Sequence, residues 1–230
     1  MFDYYLKQRG LHAKYKAPFH LDYLENRICD FIIDEIVEDK IVIELKCIQT
    51  GFMPENIAQV ITYLHLTNIR LGILINFGLH QAFTKRIIFD AQREDNSENW
   101  DMGFFQKLKS KKTVDAIVAS VRNIDTAFGP GYHSEVYKRA FSIEMNKNQE
   151  TFEKNVQIDI QVKNISFKPI TTDFLLIDRS FLVAILAGTN KPRIYDVFRM
   201  RSYLRHLKLH HGLIAFWSRT NLQLIGIYQS

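Results

Sequence analysis

The chain has 230 residues, 47% of them apolar and 24% charged, a globular balance that excludes wholesale disorder and fits one large domain or two modest ones. No apolar run reaches the roughly 18 residues of a membrane span, the opening Met-Phe-Asp-Tyr-Tyr-Leu-Lys lacks a signal-peptide layout, and two cysteines make no disulfide framework, so a soluble protein of the reducing cytoplasm is expected, with no membrane partner. The net charge of +5 divides into −1 over residues 1–92, −1 over 93–110 and +7 over 111–230; a basic half suits phosphate backbones, and equally a solvated surface.

An extended stretch over Ala13–Leu21 leads to two Ile/Val/Leu/Phe-rich runs, Cys29–Ile36 and Lys40–Ile48, which read as buried strands. Glu55–Leu66 has helical spacing, with Ile57, Val60, Ile61 and Leu64 on one stripe. Leu71–Phe77 and a short Arg86–Phe89 are further strands. Residues 93–110 break the periodicity and read as a linker, with a helical turn near Phe104–Leu108.

The second half opens with a helix over Val114–Ile124, a turn at Gly129-Pro130-Gly131 and a helix over Ser134–Met145. Strands at Phe152–Val162, Thr172–Ile177 and Phe181–Leu186, a helix at Ile194–Leu207 and a strand at Leu213–Trp217 complete it. A shift of 140 positions lays Tyr63-Leu64 on Tyr203-Leu204 and Gly72 on Gly212, and a shift of 143 lays Asp30-Phe31 on Asp173-Phe174. The same order of elements twice over predicts a diverged tandem duplication. The domains expected are 1–92, a linker 93–110 and 111–230.

The sharpest chemical signal is Asp30 followed by Glu44-Leu45-Lys46 within an otherwise apolar strand. Residues two apart in a strand share a face, so Glu44 and Lys46 project together. A hairpin loop at 37–39 would set Asp30 opposite Lys46 and Ile32 opposite Glu44, bringing both carboxylates and the ammonium onto one face. The same register would set Cys29 against Cys47 on the reverse face. Charges in so apolar a run are costly unless they pair or bind metal; a partly exposed strand whose Glu and Lys reach solvent is the plainer alternative.

An Asp, then Glu-x-Lys across a hairpin, then a helix bearing Gln resembles the PD-(D/E)XK nuclease superfamily, and within it the GxxExxY proteins. The segments that carry the resemblance are Leu6–Leu11, Pro18-Phe19, Glu38–Lys46, Gln59–Leu64 and Gly72–Gly78. It implies an α/β (α+β) fold of two tandem restriction-endonuclease-like αβββαβ repeats, with Met1 falling partway through the leading helix of a shortened first repeat. It also implies metal-dependent phosphodiester cleavage, with DNA or RNA as partner. Asp30 and Glu44 would ligate Mg²⁺, with Mn²⁺ the alternative. Lys46 would orient the attacking water and offset transition-state charge, and Gln59 would position water or substrate near Tyr63. The family's leading-helix glutamate is missing from the first repeat.

In the second repeat that glutamate is replaced by Ser134, and Ala184 and Leu186 stand at the Glu and Lys positions. Asp173 is kept and Arg199 replaces the Gln, so the copy resembles a pseudo-nuclease. Arg193, Arg199, Arg201, Arg205 and Lys208, with His206, His210 and His211, crowd its helix and exit; Arg201, Arg205 and Lys208 are the nucleic-acid-binding candidates, and a solvated helix face beside the Val197/Met200/Leu204 stripe is the plainer alternative. The two repeats are expected to pair with each other, and a homo-oligomer is left open. The rival reading is a catalytically inactive nucleic-acid-binding or assembly module on a nuclease-derived fold.

Overall fold

The computed structural model describes residues 2–89, 111–162, 165–188 and 191–229. They form two compact units, one drawn from 1–92 together with 131–136, the other from 93–130 and 137–230. The expected linker and its helical turn lie outside the described residues.

The first unit runs α1 (Phe2–Gln8), β1 (Ala13–Tyr23), β2 (Asn26–Val37), β3 (Ile41–Lys46), α2 (Pro54–Thr67), β4 (Leu71–Asn76) and β5 (Phe83–Ile88). Its five strands lie in chain order in one sheet. β3 and β4 are parallel and α2 crosses between them; the other neighbours are antiparallel. Val42, Val60, Leu64 and Leu74 form the core between the sheet and α2. On the reverse face Val37, Ile43 and Ile75 take Phe2 and Leu6 of α1. Pro54 opens α2 at a position where a missing N–H costs nothing.

The β2–β3 turn corrects the sequence register. Glu38 and Asp39 take positive φ of 54° and 51°, and the Lys40 amide donates to the Val37 carbonyl at 3.0 Å. The loop is therefore 38–40, and the rungs are Val37–Ile41, Ile36–Val42 and Glu35–Ile43. Moving the loop by one residue moves each partner by two. Glu44 now comes level with Asp34 rather than Ile32, and Asp30 is not level with Lys46. Cys29 and Cys47 do not face each other either: Cys29 lies opposite Leu21 in the β1–β2 ladder, and Cys47 follows the end of β3. Neither is in a disulfide.

In the second unit α3 (Lys111–Phe128) and α4 (Ser134–Lys147) precede the strands. The strands expected at Phe152–Val162 and Thr172–Ile177 are broken into short pieces. These are β6 (Phe152–Glu153), β7 (Gln157–Ile158), β8 (Gln161–Val162), β9 (Ile165–Ser166), β10 (Ile170–Thr171) and β11 (Leu175–Ile177). Then come β12 (Phe181–Ala187), α5 (Ile194–His206), β13 (His211–Trp217) and β14 (Leu222–Tyr228), the last unforeseen. The main sheet is ordered β6-β11-β12-β13-β14. From the second hairpin strand onward it repeats the first sheet at one offset: Val37–Ile41, Ile41–Leu71 and Leu71–Ile88 become Ile177–Phe181, Phe181–His211 and His211–Tyr228, each 140 residues later. The 143-residue shift fails this test, so Asp30 and Asp173 do not correspond.

The offset extends to details. Asn56 and Asp196, three residues into α2 and α5, accept the Met53 and Arg193 amides at 2.9 and 3.1 Å. Gly72 and Gly212 leave room for Val60 and Met200 on the covering helices. Tyr137 stacks on Trp217 at 4.2 Å, binding α4 to the second sheet.

Candidate active site

β2, β3 and α2 bring Asp34, Glu44, Lys46, Gln59 and Tyr63 together. Asp34 and Glu44 are buried. The Asp34 Oδ2 accepts the Leu45 amide at 2.8 Å, and its Oδ1 accepts the Lys16 ammonium from β1. Lys46 Nζ donates to Glu44 Oε1 at 2.7 Å and to Gln59 Oε1 at 2.8 Å. Gln59 Nε2 donates to the Tyr63 hydroxyl at 2.7 Å, and that hydroxyl reaches the Ile32 carbonyl at 3.4 Å. Gln59 and Tyr63 stand one turn apart on α2, so one helix face serves both. A chain of hydrogen bonds thus runs from the β2 backbone through α2 to the β3 carboxylate.

The two carboxyls are shifted in opposite directions. Burial raises Asp34, but the Lys16 ammonium and the Leu45 amide outweigh it and hold it below the usual range. Glu44 is raised, by burial first and by the nearby Asp34 charge, with Lys46 opposing. Its Oε2 is buried and has no hydrogen-bond partner. A buried acceptor without a donor is costly, and either a proton or a cation would satisfy it.

Asp30, proposed from sequence as a metal ligand, is elsewhere. Its carboxylate takes the Arg27 Nε at 2.6 Å, and its side chain is 66% exposed. Four residues along an extended strand separate it from Asp34 by about 13 Å. Glu44 and Lys46 do share a face as the strand alternation implied, and Gln59, expected from the resemblance, joins them through Lys46. Sequence reasoning missed Asp34 and Lys16. The signal for Asp34 was the loop: Glu38-Asp39-Lys40 suits a tight turn better than Val37-Glu38-Asp39, because a β-branched residue resists positive φ.

At the matching place in the second unit, Phe174, Ala184 and Leu186 stand 140 residues after Asp34, Glu44 and Lys46. Arg199 and Tyr203 correspond to Gln59 and Tyr63. The Arg199 guanidinium lies 4.9 Å from the Phe174 ring centre and donates to Asp173 at 2.7 Å. Asp173 also takes Lys138 at 3.0 Å. Burial raises its carboxyl, but these two cations outweigh it and hold it below the usual range. Arg201, Arg205 and Lys208 are exposed and take no part in this cluster.

A sequence model described as the PD-(D/E)XK nuclease superfamily matches residues 1–87 and 111–224. The chain belongs to the PD-(D/E)XK nuclease superfamily. No curated protein matches it in sequence. Among solved structures it is similar to the crystal structure of SSO0001, at 19% identity and TM-score 0.32, over 38% of this chain and 46% of that one. It is also similar to an alkaline exonuclease (LHK-Exo) from Laribacter hongkongensis, at 17% identity and TM-score 0.33, over 64% of this chain and 69% of that one. The chain therefore spans less than half the length of SSO0001. Among the described residues of this superfamily member, no helix is long and apolar enough to cross a membrane, and no three His, Cys, Asp or Glu side chains gather as a metal-binding group. Two carboxylates make up the acidic part of the site.

Proposed function

We propose that the first unit is a metal-dependent nuclease centre acting on DNA or RNA, with Asp34 in the role that the sequence reading gave to Asp30. The observation that carries this is the single network joining Glu44, Lys46 and Gln59 beside the Asp34 carboxylate. The donors fit a hard divalent cation: both are carboxylates, and Glu44 Oε2 is buried without a partner. Mg²⁺ suits two carboxylates because it keeps waters and shares substrate phosphate oxygens; Mn²⁺ is the alternative. Such a cation, when bound, polarises the phosphate and makes water more acidic.

The chain's own residues supply the rest. Hydrolysis joins a water oxygen to phosphorus and breaks one P–O ester bond, and negative charge grows on the phosphoryl oxygens. Lys46 offers N–H donors to that charge, already aimed by Glu44 and Gln59. Gln59 fixes Lys46 through its carbonyl, while its amide is committed to Tyr63. The common 140-residue offset supports a tandem duplication of GxxExxY type. Loss of both carboxylates and the lysine supports a degenerate second copy that binds nucleic acid through Arg201, Arg205 and Lys208. Cys29 and Cys47 form no disulfide, which suits a reducing cytoplasm.

The test is cleavage of single-stranded and duplex DNA and RNA with Mg²⁺ or Mn²⁺, with Lys46→Ala as the control. Metal-dependent products lost in Lys46→Ala support the reading. One observation favours the rival, an inactive binding module: the Lys16 ammonium already neutralises Asp34. Binding without cleavage on every substrate would establish that rival.

A further inference from the structure

The helices α2 and α5 correspond residue for residue, yet their outer faces differ. On α2 the positions Ile61 and Thr62 are buried, and residues 131–136 of the same unit close over them. The His133 amide donates to Thr62 Oγ1 at 3.1 Å, and the Tyr132 ring lies 4.4 Å from that of His65. The α5 positions 140 residues later are Arg201, Ser202 and Arg205, and all three are exposed. Beside them Ile194, Tyr195 and Phe198 are 75%, 63% and 59% exposed. At 100° per residue, Ile194, Phe198, Arg201 and Arg205 fall on one stripe of the helix, with Tyr195 at its edge.

We propose that this α5 face binds single-stranded nucleic acid, its bases stacking on Tyr195 and Phe198 and its phosphates meeting Arg201 and Arg205. The proposal rests on the nucleic-acid reading above for its ligand class and adds the strand form and the residues. Charge complementarity points to a polyanion: the one acidic residue of α5, Asp196, is buried in the cap of the helix, so every exposed charge on the face is basic. The rings point to unpaired bases. A duplex hides its base faces in its own stack and offers phosphates alone, for which exposed aromatics are wasted, whereas a single strand offers both. Tyr195 is also held from behind. The Arg199 guanidinium lies 5.7 Å from its ring and is anchored on Asp173 and on the Phe174 and Tyr203 rings.

The experiment is anisotropy of fluorescein-labelled oligo(dT), and of a duplex of equal length, titrated with the full chain in EDTA so that cleavage plays no part. The single strand should bind more tightly than the duplex. Tyr195→Ala with Phe198→Ala should weaken single-strand binding by roughly tenfold or more and leave the log–log salt slope unchanged. Arg201→Gln with Arg205→Gln should instead flatten that slope by about 1.4, from about 0.7 per lost phosphate contact. All four side chains are exposed, so thermal unfolding should not move. Equal or tighter duplex binding would overturn the proposal. So would an aromatic double change without effect on affinity, or a dimer that Phe198→Ala dissociates while affinity stays constant. Single-strand binding by a chain that cleaves nothing would leave this proposal standing and remove the nuclease reading. Cleavage together with a silent aromatic pair would do the reverse.

Discussion

Lys16 donates its ammonium to Oδ1 of Asp34. Lys16 stands in β1 with a positive φ of 49°, and its side chain is half exposed while the aspartate is buried. The pair therefore has one anchored partner and one that can leave. A cation entering between Asp34 and Glu44 has to share or displace that ammonium. Lys16→Met should strengthen Mg²⁺ or Mn²⁺ binding by roughly two- to fivefold, the scale of a partly exposed ion pair. Calorimetric titration of the metal into the chain without nucleic acid measures it. Unchanged affinity would mean that Asp34 is not a ligand.

The two aspartates of β2 separate cleanly by mutation. Asp34→Asn removes a charge from the site, so it should abolish metal binding and any cleavage. Asp30→Asn breaks only the exposed pair with Arg27 and should change either by less than about twofold. The same titration, run beside a cleavage assay, decides between them. If Asp30→Asn were the damaging change, the register-based assignment would be wrong.

How far the sequence was legible follows from where local signals are strong. The strands flanking Glu44 and the α2 stripe are dense in β-branched and apolar residues, and both appear where the pattern put them. The site was misread by one loop residue. Asp30 and Asp34 both lie an even number of residues from the turn, so alternation alone cannot choose between them; the positive-φ pair Glu38-Asp39 does. Lys16 was invisible because its partner is 18 residues away, and no local period links β1 to β2. The run Phe152–Val162 looked continuous, but Asn155 takes a φ of 56° and breaks it. Strand β14 carries Gly226 in mid-strand, which weakens the apolar alternation there.

Beneath α1 lies Glu35, fully buried with no hydrogen-bond partner for either carboxylate oxygen. Burial, then the charges of Asp3 and Asp34, push its carboxyl above the usual range, with Lys7 opposing. In the unfolded chain the proton leaves at about pH 4.3. The folded state holds it longer, so from that pH upward this group makes stability fall until the folded carboxyl ionises too. Glu35→Gln cannot ionise and should lack that fall, gaining on the wild type as pH rises from 4 to 8. Urea midpoints across the range measure the gap. Parallel curves would show that ionised Glu35 is accommodated without penalty.

Gly72 and Gly212 hold equivalent places, but their neighbours differ in stiffness. A Cβ on Gly72 would lie 2.5 Å from Val60 Cγ1 and 3.3 Å from Leu64 Cδ1. On Gly212 it would lie 2.6 Å from Met200 Sδ and 3.1 Å from Leu204 Cδ1. Valine on a helix has one strongly preferred rotamer, so α2 itself must move away from the sheet. Methionine has three rotatable bonds and can swing its sulfur aside. Gly72→Ala should therefore cost about 1–3 kcal/mol, the range for overpacking a filled core, and Gly212→Ala distinctly less. Because α2 carries Gln59, the first change should also lower any cleavage, whereas the second should not. Val60→Ala placed on Gly72→Ala should restore part of both losses by opening the space that the new methyl needs. Denaturant midpoints of the two single variants and the double variant give the comparison. Equal losses at Gly72 and Gly212, or no rescue by Val60→Ala, would mean that the helix–sheet spacing is not set at this contact.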